Sequence, residues 1–553
     1  MGIEGRNIKH ILPCLFTLSF SILYYISAAQ DINLITTSQY ILDKQTLVSS
    51  GEKFKLGFFS LGENSVNRYV GIWFNSIPGP TTVWIANRDK PLNDSSGVFK
   101  IADDGNLVVL DGRKNIAWST DVSNIPSGDT TAELMDTGNL ILRETANSSG
   151  SNGRILWESF DHPSNVFLPG MKFGVNVKPG LKGKITSWRN SSDPSTGSFT
   201  LELDPSRLSQ IIIKDVSNDK LYWRSGPWNN RVFIGIPTMY NVFVNGFNLV
   251  RDSQRVYLTL GYVENTSITR FDLEPDGKFV RRDWIKNDNE WSGVWQSRLA
   301  DCDNYSKCGP FGSCDALASP ICSCLKGFEP KSINEWSNGN WSSGCVRRTE
   351  LQCHRSKNET SDSKNVSSTS ERGKEPDGFL TLDNMKVPDH AEWWQVETTE
   401  ECAQKCLGNC SCLAYSYENN IGCMWWPSNL MDTQKFSNFS EAGVELHIKV
   451  ANSELPKKKG AKIAIIISTV IGLLVISFCT LFCWRWMAKK KRGKMSQGTG
   501  FSLFDTDGGT SDPNMFVGNP ELKMFNFETL CIATKSFSGA TKLGHGGFGS
   551  VYK

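Results

Sequence analysis

The cysteines of this chain are clustered, and that clustering constrains its fold more than any other feature. Of sixteen cysteines in 553 residues, twelve lie from Cys302 to Cys423, and none lies between Cys14 and Cys302. An even, dense block of this kind predicts a disulfide-stapled segment made in an oxidising compartment. The length predicts several domains. The formal net charge of +2 excludes a global field that attracts nucleic acid.

Residues 1–29 have the pattern of a secretory signal peptide. Arg6 and Lys9 precede an apolar run, and Ser27-Ala28-Ala29 is a small-residue cleavage pattern, so we expect cleavage after Ala29. The alternative is an uncleaved signal anchor, which the short apolar run disfavours.

A second apolar run, residues 463–484, contains no charged residue. A helix needs about 20 apolar residues to cross a bilayer, so this run predicts one transmembrane helix. A buried soluble helix is the alternative, and apolarity on all faces disfavours it. The larger basic cluster follows the run, so we expect a single-pass type I plasma-membrane protein with an extracellular N-terminus. The cluster consists of Arg485, Lys489, Lys490, Lys491, Arg492 and Lys494.

Ten Asn-x-Ser/Thr glycosylation sequons precede the apolar run and none follows it. This one-sided distribution agrees with an extracellular N-terminal part. The candidate asparagines are Asn93, Asn147, Asn190, Asn265, Asn304, Asn340, Asn358, Asn365, Asn409 and Asn438.

Residues 31–300 alternate short apolar strands with turns, and one pattern repeats. The segment 103–110 resembles 136–142, each is followed by a tryptophan (Trp118 and Trp157), and 276–280 is a fainter copy. Asp-Gly supplies the positive φ of tight hairpins, so we expect hairpins arranged around a shared core. An ordinary β-sandwich remains the alternative.

Several longer motifs carry a family resemblance. They are Thr46-Leu47-Val48-Ser49, Phe54-Lys55-Leu56-Gly57-Phe58-Phe59, Val83-Trp84-Ile85-Ala86-Asn87-Arg88, Trp157-Glu158-Ser159-Phe160-Asp161-His162-Pro163, Ser187-Trp188-Arg189 and Tyr222-Trp223-Arg224-Ser225-Gly226-Pro227-Trp228. The chain resembles the plant G-type (bulb-type) lectin S-receptor-like serine/threonine-protein kinases. That resemblance implies a multidomain, mostly β chain.

The domains that the resemblance implies follow in order along the chain. They are two consecutive β-prism lectin-like domains (30–157, and the S-locus glycoprotein region 158–300), an EGF-like module (301–346), a PAN/apple domain (353–450), the transmembrane helix, a cytoplasmic juxtamembrane segment (485–535) and the start of a kinase N-lobe (536–553).

The mannose pocket of the resembled lectins uses Gln-x-Asp-x-Asn-x-Val-x-Tyr. Asp104, Asn106 and Val108 match it, but Ala102 and Leu110 replace the Gln and the Tyr, and the second copy has Thr137 in place of the Asp. A site built to bond hydroxyls loses heavily when polar partners are missing. We therefore interpret these residues as hairpin structure and do not expect mannose binding.

The twelve cysteines form two groups of six. A zinc site is the alternative for the first group, but secreted thiols oxidise and no histidine lies nearby except His354, so we expect no metal. Sequence alone allows fifteen pairings of six cysteines. The resemblance to EGF-like and apple modules implies Cys302–Cys314, Cys308–Cys322, Cys324–Cys345, Cys353–Cys410, Cys402–Cys423 and Cys406–Cys412.

The apple-like segment should contain a short helix, residues 400–407, which places Cys402 and Cys406 on one face. Apple domains of the resembled receptors are implicated in receptor pairing. The resemblance therefore implies a homo- or heterodimer formed through the apple and lectin-like domains. Four tryptophans could anchor such contacts or equally fill the core: Trp393, Trp394, Trp425 and Trp426.

The last residues resemble the glycine-rich loop of protein kinases, whose cofactors are ATP and Mg²⁺. Its candidate ATP-loop residues are Leu543, Gly544, Gly546, Gly547, Gly549 and Val551. A dinucleotide-binding loop is the alternative, but it needs a helix after the glycines. Lys553 follows the loop too closely to be the ATP-pairing lysine, and the catalytic aspartates of kinases lie further downstream. No catalytic residue is present, so we expect this chain to bind no ATP, and we expect its tail to be disordered.

The sequence thus predicts a receptor-like serine/threonine kinase of the S-domain type, in a chain that lacks the catalytic core. We expect its extracellular ligand to be a peptide, a lipid or a glycan. The resemblance implies roles in pollen or self recognition or in defence. One alternative is a kinase-less receptor that acts as a decoy or co-receptor. Another is a membrane-anchored lectin, which the altered sugar motif disfavours.

Overall fold

The structure is a computed structural model. It describes residues 34–62, 65–79, 81–123, 125, 130–145, 153–176, 183–239, 246–253, 255–261, 268–353, 376–436, 442–456, 469, 471–485, 542–546 and 549–552. The chain divides into two units after Lys457, and each is described by itself. The expected signal peptide, the segment 486–535 and five sequon asparagines lie outside the described residues: Asn147, Asn265, Asn358, Asn365 and Asn438.

The first part of the chain forms three four-stranded antiparallel sheets, which we call the first prism. Their strand orders are β3-β4-β5-β6, β2-β7-β8-β9 and β1-β10-β11-β12. The strands are β1 (Leu34–Thr36), β2 (Tyr40–Leu42), β3 (Thr46–Val48), β4 (Phe54–Phe59), β5 (Tyr69–Phe74), β6 (Thr82–Ile85), β7 (Val98–Ile101), β8 (Leu107–Leu110), β9 (Ile116–Ser119), β10 (Thr130–Leu134), β11 (Leu140–Glu144) and β12 (Ile155–Glu158).

The repeated turns fall where the sequence predicts hairpins. Gly105 joins β7 to β8 and Gly138 joins β10 to β11, with φ of +82° and +84°. L side chains rarely adopt this conformation, and a Cβ at Gly138 would meet the ring of Phe54 at 2.9 Å. Glycine at these positions therefore allows both the turn and the close approach of Phe54.

Each sheet of the first prism contributes one tryptophan from its last strand to a common centre. Trp84, Trp118 and Trp157 are mutually edge-to-face, with ring centroids 5.5, 5.8 and 5.7 Å apart. This geometry suits the quadrupoles of the rings. The tryptophan that follows each repeated turn therefore closes the core, which explains the internal repeat.

A second prism follows. Its sheets have the orders β15-β16-β17-β18, β14-β20-β19 and β13-β21-β22-β23. The strands are β13 (Val166–Phe167), β14 (Lys172–Asn176), β15 (Ile185–Asn190), β16 (Asp193–Leu203), β17 (Ile211–Asp215), β18 (Lys220–Arg224), β19 (Phe247–Arg251), β20 (Arg255–Leu260), β21 (Thr269–Leu273), β22 (Phe279–Ile285) and β23 (Glu290–Gln296).

The cores of the two prisms are continuous. The ring of Phe74 in β5 lies 5.7 Å from that of Trp291 in β23, and one cluster of buried apolar side chains runs through both prisms. The two-prism expectation agrees with this arrangement, and the shared apolar contact fixes one prism against the other.

The cysteine-rich part contains β24 (Gly312–Asp315), β25 (Cys322–Cys324), β26 (Phe328–Pro330), α1 (Ile333–Ser337), β27 (Cys345–Arg347), β28 (Gly378–Lys386), β29 (Glu392–Trp394), α2 (Thr399–Gly408), β30 (Ala414–Glu418), β31 (Gly422–Trp426), β32 (Thr433–Lys435) and β33 (Val444–Val450). The helix expected at 400–407 is α2, and the hydroxyl of Thr398 accepts from the Glu401 N–H at 3.1 Å to cap it.

The EGF-like segment (301–346) and the apple-like segment (353–450) share one sheet. Its order is β25-β24-β32-β28-β33-β30-β31-β29. The pair β24–β32 is parallel, with Ser313 opposite Thr433. The two segments are therefore joined by backbone hydrogen bonds as well as by the chain.

Six disulfides staple this part, and their pairs are those that the family resemblance implied. They are Cys302–Cys314, Cys308–Cys322, Cys324–Cys345, Cys353–Cys410, Cys402–Cys423 and Cys406–Cys412. The sulfurs of Cys308, Cys314 and Cys322 lie within 4.8 Å of one another, but each belongs to a disulfide and cannot act as a thiolate ligand for a metal.

In the unit after Lys457, residues 469 and 471–484 of the apolar run are helical, whereas residues 463–468 and 470 lie outside the described residues. Within the described part of the chain, no helix has both the length and the apolar content needed to cross a membrane. At the end of the chain, β34 (Lys542–Gly546) pairs antiparallel with β35 (Gly549–Tyr552). The expected disorder is wrong for these residues, because cross-strand hydrogen bonds order the hairpin.

Candidate functional site

The side chains that match the sugar motif are either hydrogen-bonded to neighbouring residues or buried. Oδ1 of Asn106 accepts from Thr120 Oγ1 and from Val122 N, both at 2.8 Å. Its Nδ2 donates to Asp104 Oδ2 at 3.1 Å and to the Val122 carbonyl at 3.3 Å. A carboxamide offers two acceptor sites and two N–H groups, so Asn106 has none left for a sugar hydroxyl. Val108 is buried.

The second copy of the motif is used in the same way. Oδ1 of Asn139 accepts from Ser159 Oγ and from Phe160 N, both at 3.1 Å, and its Nδ2 donates to Glu158 Oε2 at 2.7 Å. In each copy the buried asparagine ties the hairpin to residues that follow the last strand of its sheet. This agrees with the interpretation of the motif as hairpin structure.

The motif Val83–Arg88 continues into a clamp between the prisms. Nε of Arg88 donates to the Pro194 carbonyl at 2.9 Å, and Nη2 donates to the Ser187 carbonyl at 2.8 Å. The neighbouring Asp89 accepts from the Thr196 N–H at 2.7 Å. These two charged residues therefore join the segment after β6 to β15 and β16. Sequence reasoning recognised the motif but not this role, because the partners lie about a hundred residues away.

A buried charge cluster joins the second prism to the cysteine-rich part. We call it the Arg224 cluster, and it consists of Gln210, Arg224, Tyr305, Lys386, Asp389 and Asp432. Arg224 is fully buried, its Nε lies 2.7 Å from Asp432 Oδ2, and its Nη2 donates to the Asp432 carbonyl at 3.0 Å. Lys386 Nζ is 2.9 Å from the same Oδ2.

The remaining members attach Asp389 to the cluster. Gln210 Nε2 donates to Asp389 Oδ1 and Tyr305 Oη donates to Asp389 Oδ2, each at 3.0 Å. The two cations balance the two carboxylates, so the cluster carries no net charge. Because each charge is paired and hydrogen-bonded, its burial is tolerated. The cluster therefore fixes the relative position of the second prism, the EGF-like segment and the apple-like segment.

Burial and pairing shift the pKa values in this cluster. Burial acts to raise the pKa of Asp389, but the Arg224 guanidinium and the Gln210 hydrogen bond outweigh it and hold that pKa at about 2. Burial lowers the pKa of Lys386, although Asp432 opposes that shift. Burial and Asp389 raise the pKa of Tyr305 well above its usual value. These shifts come from the interface itself and do not indicate a catalytic acid or base.

The four tryptophans of the apple-like segment divide into two pairs. Trp426 is fully buried and its Nε1 donates to the Asp389 carbonyl at 3.0 Å, and Trp425 is also buried. Trp394 stacks on Trp425 with ring centroids 4.3 Å apart. Trp393 is half-buried, and the Arg207 guanidinium lies 3.4 Å from its ring centroid. Trp425 and Trp426 are thus core residues, and only Trp393 and Trp394, on the edge strand β29, reach the surface.

A lysine that the sequence did not single out caps α2. Lys449 is buried, and its Nζ donates to the carbonyls of Cys406, Leu407 and Asn409 at 3.3, 3.0 and 3.2 Å. A cation at a helix C-terminus satisfies carbonyls that lack helical partners. No local sequence signal marks this residue, since it lies 40 residues beyond Asn409, the C-cap of the helix.

Five candidate glycosylation asparagines are described. Asn93, Asn190 and Asn340 are exposed, whereas Asn304 and Asn409 are half-buried. The carboxamide of Asn304 accepts from Arg298 Nη2 at 2.6 Å and donates to the Asp301 carbonyl at 3.0 Å. The first three are the more accessible acceptors.

The second prism contains a partly open cavity of about 190 Å³, lined by residues that include Val175, Leu203 and Ile212. At its rim, Lys184 and Lys214 lie 2.9 and 3.0 Å from the two carboxylate oxygens of Glu202. The apolar floor and paired charges form a small surface hollow, without the nucleophile–base arrangement of an enzyme site.

Of the candidate ATP-loop residues, Leu543 and Val551 lie on the β34–β35 hairpin and are exposed. Gly544 is opposite Val551, and Gly546 is opposite Gly549. Gly547 lies outside the described residues. The hairpin supplies the two paired strands that a glycine-rich loop needs, but in a kinase Val551 would pack on adenine, and here Val551 is 59% exposed. The described residues therefore supply the loop's strands without a nucleotide pocket.

Three family models match segments of the chain. They are a D-mannose binding lectin domain over residues 81–189, an S-locus glycoprotein domain over residues 223–332 and a PAN-like domain over residues 373–433. The three matches follow one another in the order that the sequence predicted.

Two relatives from Arabidopsis thaliana are similar over nearly the whole chain. The G-type lectin S-receptor-like serine/threonine-protein kinase At1g11300 is 40% identical over 518 residues, which are 92% of this chain and 60% of the relative. The corresponding kinase SD1-13 is 39% identical over 94% of this chain and 61% of its own length. The chain thus spans about three fifths of the relatives it matches.

Among solved structures, the fetuin-binding Scilla campanulata agglutinin, described as a two-domain lectin, is 14% identical. The match covers 48% of this chain and 88% of that chain, with a TM-score of 0.17. A likeness at that score supports no conclusion about function.

Proposed function

Because the chain belongs to the family of G-type lectin S-receptor-like serine/threonine-protein kinases, we propose that it is the recognition and anchoring part of a cell-surface receptor kinase. The six disulfides of residues 302–423 carry this proposal, since such a block forms in an oxidising exterior. The predicted signal peptide and the one-sided sequons support the same sidedness. We place the protein in the plasma membrane, with residues 463–484 as its single span and its N-terminus outside.

We propose that the extracellular part acts as one rigid body and not as modules joined by flexible linkers. The Arg224 cluster, the Arg88 clamp and the sheet shared by the EGF-like and apple-like segments support this. A rigid body can transmit ligand binding as a change in receptor pairing, since its modules do not move independently. We propose pairing, as a homo- or heterodimer, through the apple-like and lectin-like parts, with Trp393 and Trp394 as surface anchors.

The ligand that we propose is a peptide, a lipid or a glycan other than simple mannose. The hydrogen bonds that occupy Asn106 and Asn139 argue against a mannose site of the motif type. Pollen or self recognition and defence are the roles that we propose for such signalling. Phosphoryl transfer, with ATP and Mg²⁺, is proposed for the receptor as a whole, with the β34–β35 hairpin as part of its nucleotide-binding lobe.

The first property to test is the side of the membrane on which each end of the chain lies. Epitope tags would be placed after residue 29 and after residue 553 of the full chain, expressed in plant cells. We expect antibody to stain the first tag on intact cells and the second only after permeabilisation, and we expect peptide N-glycosidase to lower the apparent mass. Staining of both tags on intact cells, or a chain with twelve free thiols, would contradict the proposal.

A further inference from the structure

We infer that the Cys353–Cys410 disulfide is a thiol–disulfide exchange site, reduced and re-formed by small thiols while the other five disulfides stay closed. The inference rests on the proposed extracellular location only for its biological setting, because the chemistry follows from the contacts of the two cysteines.

Accessibility separates this disulfide from the others. Among the described half-cystines, Cys410 is exposed and its partner Cys353 is half-buried. The next most accessible, Cys324, is half-buried and is bonded to Cys345, which is 3% exposed. Exchange needs in-line approach of a thiolate to one sulfur, so we expect attack at Cys410, the one exposed residue among the described half-cystines.

The backbone near Cys353 is held without the disulfide. Leu351 is buried, and the Gln352 N–H donates to the two carboxylate oxygens of Asp377 at 3.1 and 3.0 Å. Thr349 Oγ1 donates to Glu454 at 3.0 Å. These contacts keep Cys353 at its place when the sulfur bond opens.

The turn that carries Cys410 is also held independently. The buried Cys406–Cys412 disulfide brackets it on both sides. The Ser411 N–H donates to Asn409 Oδ1 at 3.0 Å, and Lys449 Nζ binds the Asn409 carbonyl at 3.2 Å. The two thiols produced by reduction should therefore remain neighbours, and re-oxidation should restore the same pair. The Cys402–Cys423 disulfide differs, because both its cysteines are fully buried in the core beneath α2.

The exchange balances with two monothiols. The thiolate of the first attacks Cys410 Sγ, the sulfur–sulfur bond breaks, and Cys353 leaves as a thiolate that takes a proton. The thiolate of the second attacks the small-molecule sulfur of the mixed disulfide and releases Cys410 as a thiolate, which is protonated in turn. Two electrons pass from the two thiols to the protein, and the thiols leave as their own disulfide.

Reduction has a local consequence. The disulfide joins residues that are 57 apart in sequence, and the loop that it closes lies within the apple-like segment and contains the sequons Asn358 and Asn365. Opening it removes the covalent restraint on that loop and breaks no backbone hydrogen bond of the eight-stranded sheet. The covalent restraint on this loop of the apple-like segment therefore depends on the redox state of the Cys353–Cys410 pair.

The test is differential alkylation of the full chain in detergent. The protein would be incubated with a fixed excess of reduced glutathione for graded times, blocked with N-ethylmaleimide, fully reduced, labelled with iodoacetamide and analysed by peptide mass spectrometry. We expect Cys353 and Cys410 to take N-ethylmaleimide at least about tenfold faster than any other pair, because the more accessible sulfur is attacked first. Excess oxidised glutathione should return both to the protected state.

The double variants Cys353→Ser/Cys410→Ser and Cys402→Ser/Cys423→Ser provide the matched comparison. The first should keep the other five pairs protected for the same times as in the parent chain, and the second should expose further pairs. The inference is overturned if all six pairs open together, if another pair opens first, or if the first variant unprotects its neighbours. Labelling of all twelve cysteines before any reductant is added would instead contradict the proposed function.

Discussion

Nε of Arg224 lies 2.7 Å from Oδ2 of Asp432, although 208 residues separate them in sequence. Both side chains are at most 4% exposed. The contact joins the end of β18 to the residue before β32. It makes the second prism and the apple-like segment depend on each other for the burial of a charge.

Replacement of Arg224 by Ala should destabilise this interface strongly. It leaves two carboxylates facing one lysine in a buried site, which typically costs about 3–5 kcal/mol. The thermal unfolding midpoint of the full chain in detergent should fall by several degrees. Arg189→Ala is the control, because Arg189 pairs with Asp193 but its side chain is 65% exposed, and its effect should stay within about 0.5 kcal/mol. Equal midpoints for the two variants would contradict the role of the cluster.

Acid should weaken the same interface through Asp389. Its folded-state pKa of about 2 is below the ordinary value of 3.8 for an aspartate. A depressed carboxyl pKa contributes stability that is present above the unfolded pKa and is lost as pH falls through the folded one. We therefore expect this contribution, about 2 kcal/mol, to disappear between about pH 4 and pH 2. In thermal scans across that range, Asp389→Asn should show a shallower decline than the parent chain. An unchanged pH profile in the variant would argue against the assignment.

The tryptophan triad should dominate the stability of the first prism. Trp157→Ala removes a 7%-exposed ring from the centre, and large-to-small changes of this kind cost about 3–5 kcal/mol. Ile155 lies on the same strand but is 49% exposed, so Ile155→Ala should change stability by no more than about 0.5 kcal/mol. Chemical denaturation followed by tryptophan fluorescence measures both. The idea fails if the two variants unfold at the same denaturant concentration.

Lys449→Met should loosen the end of α2. The substitution keeps the apolar stem but leaves three buried carbonyls without their donor, at a cost of about 1–3 kcal/mol. Hydrogen exchange of residues 402–412 should accelerate. Lys435→Met is the matched control, because Lys435 is 54% exposed and lies 3.7 Å from Asp315. Unchanged exchange in Lys449→Met would show that the carbonyls find other partners.

Asn106→Ala should change stability and not sugar binding. It removes four hydrogen bonds of a side chain that is buried in a hairpin, so we expect a loss of about 1–3 kcal/mol. Parent and variant should both pass through immobilised mannose without retention. Asn115→Ala, at an exposed turn residue bonded to Asp111, should leave the melting point nearly unchanged. Specific elution of the parent chain by free mannose would contradict our interpretation of the motif.

Local patterns predicted much of this fold. The glycine turns at Gly105 and Gly138 and the tryptophans that follow them lie in one repeated unit, so short-range alternation was enough to place the hairpins of β7–β8 and β10–β11. The helix α2 was predicted from a similar span. The disulfide pairs came from the family resemblance, because spacing alone leaves fifteen pairings open for six cysteines.

The contacts between modules could not be predicted in this way. Arg224 follows Trp223 in a strand pattern that normally points a charged residue to solvent, and its partners Lys386, Asp389 and Asp432 come from segments that have no local relation to it. Lys449 likewise has no distinguishing pattern within β33, because the carbonyls that it binds belong to the end of α2, much earlier in the chain. The tail was expected to be disordered because a lone strand pair has no core of its own, and that argument left out the cross-strand backbone hydrogen bonds between β34 and β35.

The parallel pairing of β24 with β32 sets where receptor chimeras can be joined. A junction placed between the two cysteine groups, around residues 347–352, would take β24 from one parent and β32 from the other. The backbone groups of β24 around Ser313 would then have to pair with a β32 that comes from a different protein. Junctions near residue 298 and after residue 456 would transfer the sheet intact, although the first of them separates Arg224 from Asp389 and Asp432.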